Sequence, residues 1–168
     1  MMARQGRVGN DTMTKPPRGS GGIRVAASPG VGNGARVRTV LIVEDDESTG
    51  DVLASALNDE RGYRAEAVAT ADEALDRLST VAPDLLVLDI RLPGMSGLEL
   101  YDRIRADERF QGLPVVFETG AGREHAVQLR ERGIATYVKK PFDVEEVVRF
   151  VKRLVPPPRN GQAKRPAS

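Results

Sequence analysis

Cysteine is absent from this 168-residue sequence, which excludes disulfides and thiolate metal sites and fits a reducing compartment. Long apolar runs are also missing. No window approaches the roughly 18 residues of a membrane span, and the N-terminus lacks the roughly 7–15-residue apolar core of a secretory signal. No glycine-rich loop follows the first apolar run, so a dinucleotide fold of the G-x-G-x-x-G kind is not expected. What is present is ordinary: 40% hydrophobic and 29% charged residues, close to the globular average. The expectation is a cytoplasmic protein with no membrane association and room for one domain of usual size.

A formal net charge of +1 conceals an asymmetry. Residues 1–36 carry +5 and residues 156–168 carry +3, which leaves −7 on the body between them. The N-terminal stretch is rich in Gly, Pro, Ser and Arg and has no helical or strand period, so it is expected to be a disordered basic tail. It has no aromatic residue on which a base could stack, and its charges are scattered, so a solvated tail is favoured over a nucleic-acid arm. The domain is placed at residues 37–155, followed by a second disordered, proline-rich basic tail.

Within the body, Asp84–Gly97 (DLLVLDIRLPGMSG) organises the rest. Leu85–Leu88 is an unbroken apolar run that suits a strand buried on both faces. Asp89 ends it, because Pro93 and Gly94 cannot extend a central strand. A second run, Val40–Val43, ends in Glu44, Asp45, Asp46 and Glu47. A helix over 48–58 follows, with Val52, Leu53, Ala56 and Leu57 on its inner face, and Gly62 ends it. Further strands are expected at 64–68, 115–117 and 134–138. Helices are expected over 98–106 and 124–132, and after Thr70 and Asp143, each of which opens a capping box with Glu73 and Glu146. Gly120 and Gly122 suggest a mobile loop. Five β–α units in about 120 residues make a three-layer α/β sandwich with a parallel sheet. They leave no room for a DNA-binding domain, so a stand-alone chain is expected.

In such a sheet the strand ends share one edge, where open α/β folds place their chemistry. Glu44 and Asp45 end the first strand, Asp89 the third, Thr119 the fourth and Lys140 the fifth. Clustered carboxylates are stable together mainly when a cation joins them, and all-oxygen ligation suits Mg²⁺, or Mn²⁺. Lys140 and Thr119 suit an anion with several oxygens, such as a phosphoryl group. A carboxylate beside that cation can attack phosphorus and hold the group as an acyl phosphate. A phosphohydrolase would want a second acid two residues after the nucleophile, and Arg91 stands there instead. His125, the only histidine, is expected to be exposed and idle, and Asp46 and Glu47 to form the solvated start of the first helix.

VLIVEDDE, LLVLDIRLPGMSGLEL, VVFETG and YVKKPF, in that order, carry a resemblance to the response-regulator receiver domain of two-component signalling. It covers Val37 to Leu154, with 44 residues from Asp45 to Asp89, 30 more to Thr119 and 21 more to Lys140. The resemblance implies a flavodoxin-like (βα)5 fold with strand order 2-1-3-4-5. It makes Asp89 the phosphoacceptor, with Glu44, Asp45 and the Arg91 backbone carbonyl as further metal ligands. Thr119 and Tyr137 become a switch pair, and Lys140 precedes a cis proline. It also implies a sensor histidine kinase or histidine phosphotransfer protein as donor and an unidentified downstream protein. The chain is then a monomer or phosphorylation-dependent dimer with self-catalysed chemistry, not a turnover enzyme. Two rivals remain: a pseudo-receiver that docks without phosphorylation, and an intermediate carrier in a phosphorelay. Glu118 and Gly120 depart from the usual pattern, where an apolar residue and Ala or Ser are common.

Overall fold

The computed structural model describes residues 36–120 and 123–158. The expected tails, apart from Arg36 and Pro156–Pro158, and Gly122 of the expected loop lie outside the described residues. The elements are β1 (Arg38–Val43), α1 (Glu47–Asp59), β2 (Tyr63–Val68), α2 (Ala71–Thr80), β3 (Leu85–Asp89), α3 (Gly97–Ala106), a 3-10 turn at Glu108–Phe110, β4 (Val115–Thr119), α4 (Arg123–Glu131), β5 (Tyr137–Lys139) and α5 (Val144–Leu154). All strand pairs are parallel and their order is β2-β1-β3-β4-β5, as the resemblance implies.

Period-two alternation divides the core into two layers. Leu41, Val43, Leu86, Leu88 and Phe117 face α2, α3 and α4 through Leu78, Leu100, Ile104 and Leu129. Val40, Ile42, Leu85, Val87, Val116 and Val138 face α1 and α5 through Leu53, Leu57, Val147 and Val151. The strands are apolar on both sides because helices cover both faces. The edge strand β2 is guarded by a side chain: Asn58 of α1 donates to the Ala65 carbonyl at 3.0 Å and accepts from its N–H at 2.9 Å, occupying backbone groups another strand could have used. Among the described residues no helix is long and apolar enough to cross a membrane.

Several local expectations need correction. Val52 is 52% exposed and does not belong to the inner face of α1. Gly62 lies beyond α1, in the turn before β2 at φ +91°. β5 begins at Tyr137 and not at residue 134, because the N–H of Ile134 bonds back to the Leu129 carbonyl at 2.9 Å and is spent closing α4. β4 runs two residues past its apolar stretch and ends at Thr119, where its polar end was expected. Asp143 precedes α5 but makes no side-chain cap; its backbone carbonyl accepts from Glu146 N–H instead. At Thr70 the hydroxyl accepts from Glu73 N–H, while the Glu73 carboxylate reaches Ala69 N–H and not that of Thr70. A complete reciprocal box stands at Ser96 and Glu99, opening α3.

Candidate phosphoacceptor site

The buried run of β3 ends at Asp89, whose carboxylate is itself almost wholly buried. The chain then turns back over that carboxylate, so that Arg91 N–H donates to Oδ1 at 3.0 Å. The turn is held by α3, since Gly97 N–H donates to the Ile90 carbonyl at 2.9 Å. No other residue fits at that helix start: a Cβ on Gly97 would lie 2.0 Å from the Asp89 carbonyl oxygen. Arg91 N–H thus holds the Asp89 carboxylate, while the close approach of Gly97 holds the backbone behind it.

β1 delivers its acids by a different route. Glu44 N–H continues the ladder to the Val68 carbonyl at 3.0 Å, which keeps the Glu44 side chain buried at the sheet end, while Asp45 points into solvent. Asp46 caps α1 by accepting from Thr49 N–H at 2.7 Å, and that bond with the Thr49 backbone holds its carboxyl below the usual range. Asp46 thus has the structural role expected of it. Its N–H donates to Glu44 Oε1 at 3.3 Å.

Lys140 enters from the end of β5, with its N–H on the Thr119 carbonyl at 2.8 Å, and the Lys140–Pro141 bond is cis. Its Nζ donates to Glu44 Oε2 at 2.5 Å and to Asp89 Oδ2 at 2.6 Å. Burial acts to lower the pKa of this ammonium, but the bonds to Asp89 and Glu44 outweigh it and leave the pKa above that of ordinary lysine. One oxygen from each of Glu44, Asp45 and Asp89 lies within 4.8 Å of the others. Hard carboxylate oxygens at such spacing, with open groove beside them, suit an oxygen-preferring divalent cation. Lys140 neutralises only one of the three charges.

In the sequence Glu118 stands out only as a departure from the usual pattern. It is 0% exposed and lies 3.6 Å from Lys140 Nζ. Neither carboxylate oxygen finds a hydrogen-bond partner among the described residues. Burial pushes its pKa up to about 9, with the neighbouring Glu44 and Asp89 adding to the rise and Lys140 opposing it incompletely. Burial among these charges favours the protonated form of Glu118. The signal was present in the sequence, since the residue lies between Phe117 and Thr119 in a strand buried on both faces.

Thr119 is buried at the end of β4, and its hydroxyl donates to the Gly120 carbonyl at 3.0 Å. His125 is neither exposed nor isolated as expected: it is half-buried in the first turn of α4, with Nδ1 3.4 Å from Thr119 Oγ1. Tyr137 begins β5 opposite Phe117 and is half-buried against the α3 and α4 side of the core. Arg91 is exposed, and its guanidinium lies beside Gly120, where an added Cβ would meet it at 3.4 Å. The site opens into a groove of about 890 Å³, whose walls include Thr49, Val52, Pro93 and Phe142.

Residues 40–152 match the family model described as the response regulator receiver domain. Among curated proteins, the chain is 38% identical over 120 residues to the phosphate regulon transcriptional regulatory protein PhoB of Rhizobium meliloti, covering 69% of this chain and 51% of that protein. It thus spans about half the length of PhoB and of the response regulator Rre1 of Synechocystis. It is 33% identical to sporulation initiation phosphotransferase F of Bacillus subtilis, covering 70% of this chain and 93% of that one. Among solved structures it resembles a response regulator receiver protein from Pseudomonas putida, with TM-score 0.64, 30% identity and coverage of 71% and 98%.

Proposed function

The chain belongs to the response regulator receiver family, and from that premise we propose that Asp89 is the residue that accepts the phosphoryl group. Receiver domains are phosphoacceptors of two-component signalling, supplied by histidine kinases or histidine phosphotransfer proteins. The observation that carries the assignment is convergence: Lys140 Nζ bridges Asp89 and Glu44 at 2.6 and 2.5 Å, while Asp45 brings a third oxygen within 4.8 Å.

In the proposed reaction an oxygen of Asp89 attacks phosphorus of a phosphohistidine. An O–P bond forms as the P–N bond breaks, and the electron pair leaves on the imidazole nitrogen, which solvent protonates. Arg91 N–H and Lys140 hold the carboxylate in place before attack. The ammonium then follows the charge onto the phosphoryl oxygens, and Thr119 donates its hydroxyl to one of them. Mg²⁺ or Mn²⁺ held by Glu44, Asp45, Asp89 and the Arg91 carbonyl would supply neutralisation of charge on the transferring group. Loss of the group is hydrolysis of the acyl phosphate at the same site, so the chain is not a turnover enzyme. Output passes by protein contact from the α4–β5 side, where Tyr137 responds to Thr119.

Incubation with Mg²⁺ and acetyl phosphate, followed by intact mass, tests this. One phosphoryl group per chain is expected, and none in Asp89→Asn. A labelled Asp89→Asn protein would move the acceptor elsewhere, and an unlabelled parent with bound Mg²⁺ would favour a docking module that works without phosphorylation. A second reading, that of a carrier within a phosphorelay, is favoured by the near-complete coverage of a phosphotransferase. Transfer of label from Asp89 to a histidine phosphotransfer protein would distinguish it.

A further inference from the structure

We infer that His125 is a positioning residue for the Thr119 hydroxyl, holding it away from Asp89 until a phosphoryl group arrives; the inference rests on the reading of Asp89 as the phosphoacceptor. A threonine hydroxyl has a single hydrogen. Here it is committed to the Gly120 carbonyl, which can only accept, at 3.0 Å. His125 Nδ1 lies 3.4 Å from the same oxygen. With the hydroxyl hydrogen already placed, the contact is a hydrogen bond only if Nδ1 carries a hydrogen and gives it to a lone pair of Oγ1. The neutral ring is thereby fixed as the Nδ1–H tautomer.

Both bonds restrain one rotor. Thr119 is anchored in the buried end of β4, its carbonyl bonded to Lys140 N–H, so the hydroxyl changes position mainly by rotation about its own Cα–Cβ bond. The Gly120 and His125 contacts favour one rotamer. A bond of 3.4 Å is at the weak end of the range, and a phosphoryl oxygen accepts more strongly than a carbonyl. The hydroxyl therefore exchanges partners once Asp89 is labelled. Its hydrogen leaves Gly120, Oγ1 withdraws from His125, and Nδ1–H loses its acceptor. The first turn of α4 then senses the acyl phosphate through one imidazole.

The chain contains a single histidine, so its ring ¹⁵N signals report on this contact without assignment ambiguity. Spectra of the full chain are recorded on the basic side of neutrality, at pH about 8. In the unlabelled protein Nδ1 is expected to be the protonated nitrogen, and to shift in Thr119→Val, which lacks the acceptor oxygen. An unprotonated Nδ1, or one indifferent to Thr119→Val, overturns the inference. With Mg²⁺ and acetyl phosphate, intact mass reports on Asp89 while the ring signals report on His125. Labelling accompanied by a move toward the Nε2–H tautomer is expected. Labelling with unchanged ring signals overturns the inference and leaves the phosphoacceptor reading standing. Absence of labelling overturns that reading and the switch with it.

Rates supply a second readout. Removal of the restraint in His125→Phe should speed labelling about 2–10-fold, the equivalent of one modest hydrogen bond. His125→Asn, whose amide can place a donor at the Nδ1 position, should restore the parent rate. A rate in His125→Phe that is unchanged or lower than the parent's overturns the inference.

Discussion

At the end of β4 a glutamate sits where both carboxylate oxygens lack a donor among the described residues, and its neighbours explain how it is tolerated. Ionised, Glu118 would face the buried Glu44 and Asp89 with a lysine 3.6 Å away that already serves both of them. Keeping its proton removes that repulsion, and its pKa rises to about 9 from the ordinary glutamate value of 4.5. The unfolded chain releases this proton near pH 4.5 and the folded chain holds it to about pH 9. Folding therefore takes up a proton within that window, and stability falls as pH rises through it. Glu118→Leu removes the group at similar volume. In chelated, metal-free protein its unfolding free energy from urea titration should exceed the parent's, by a margin that grows between pH ~6 and ~8.5 and reaches a few kcal/mol. A margin that does not vary with pH would show that Glu118 is ionised throughout, paired with Lys140.

Elements deliver these residues, and the delivery is most exacting where α3 meets β3. The start of α3 packs so closely on the backbone of Asp89 that a methyl group at position 97 would sit 2.0 Å from a carbonyl oxygen. Backbone cannot yield as a side chain does, so Gly97→Ala must move the helix start or the acceptor. The expected outcome is a loss of roughly 1–3 kcal/mol of stability, typical of overpacking, and labelling by acetyl phosphate slower by at least about tenfold, since a displacement near 1 Å is costly to an aligned transfer. Gly94→Ala is the contrasting variant in the same loop, where a Cβ meets nothing within 4 Å but φ is +75°; it should cost stability with far less effect on the labelling rate of the folded fraction. What could be read from sequence divides along the same line. Apolar runs such as Leu85–Leu88, each ending in a polar residue, declare strands and a shared edge, because burial and parallel pairing leave few alternatives. The spacing of Asp45, Asp89, Thr119 and Lys140 carried meaning only through the family resemblance. The extent of β5 was not legible, since Ile134 is apolar but its N–H closes α4. Nor was the His125 contact, which depends on how α4 is placed over β4, a matter of tertiary packing rather than local pattern.

Across the whole domain, one ammonium and three carboxylates meet from strands far apart in sequence, on a body whose charge is −7 between two basic tails. Two consequences separate a specific cation site from general screening of an acidic surface. A divalent ion that binds only the folded chain adds stability by RT ln(1 + [L]/Kd), about 2.7 kcal/mol at 100 times Kd, which for a domain of this size raises Tm by on the order of 10 °C. Monovalent salt at matched ionic strength acts on all surface charges alike and should give a much smaller rise. Asp45 is the member of the trio that is exposed and bonded to nothing among the described residues. Asp45→Asn should therefore leave the metal-free Tm nearly unchanged, or slightly higher through relieved repulsion, while abolishing most of the Mg²⁺-dependent rise. Retention of the full rise in Asp45→Asn would place the cation away from Glu44 and Asp89, and the carboxylate cluster would then be held by Lys140 alone.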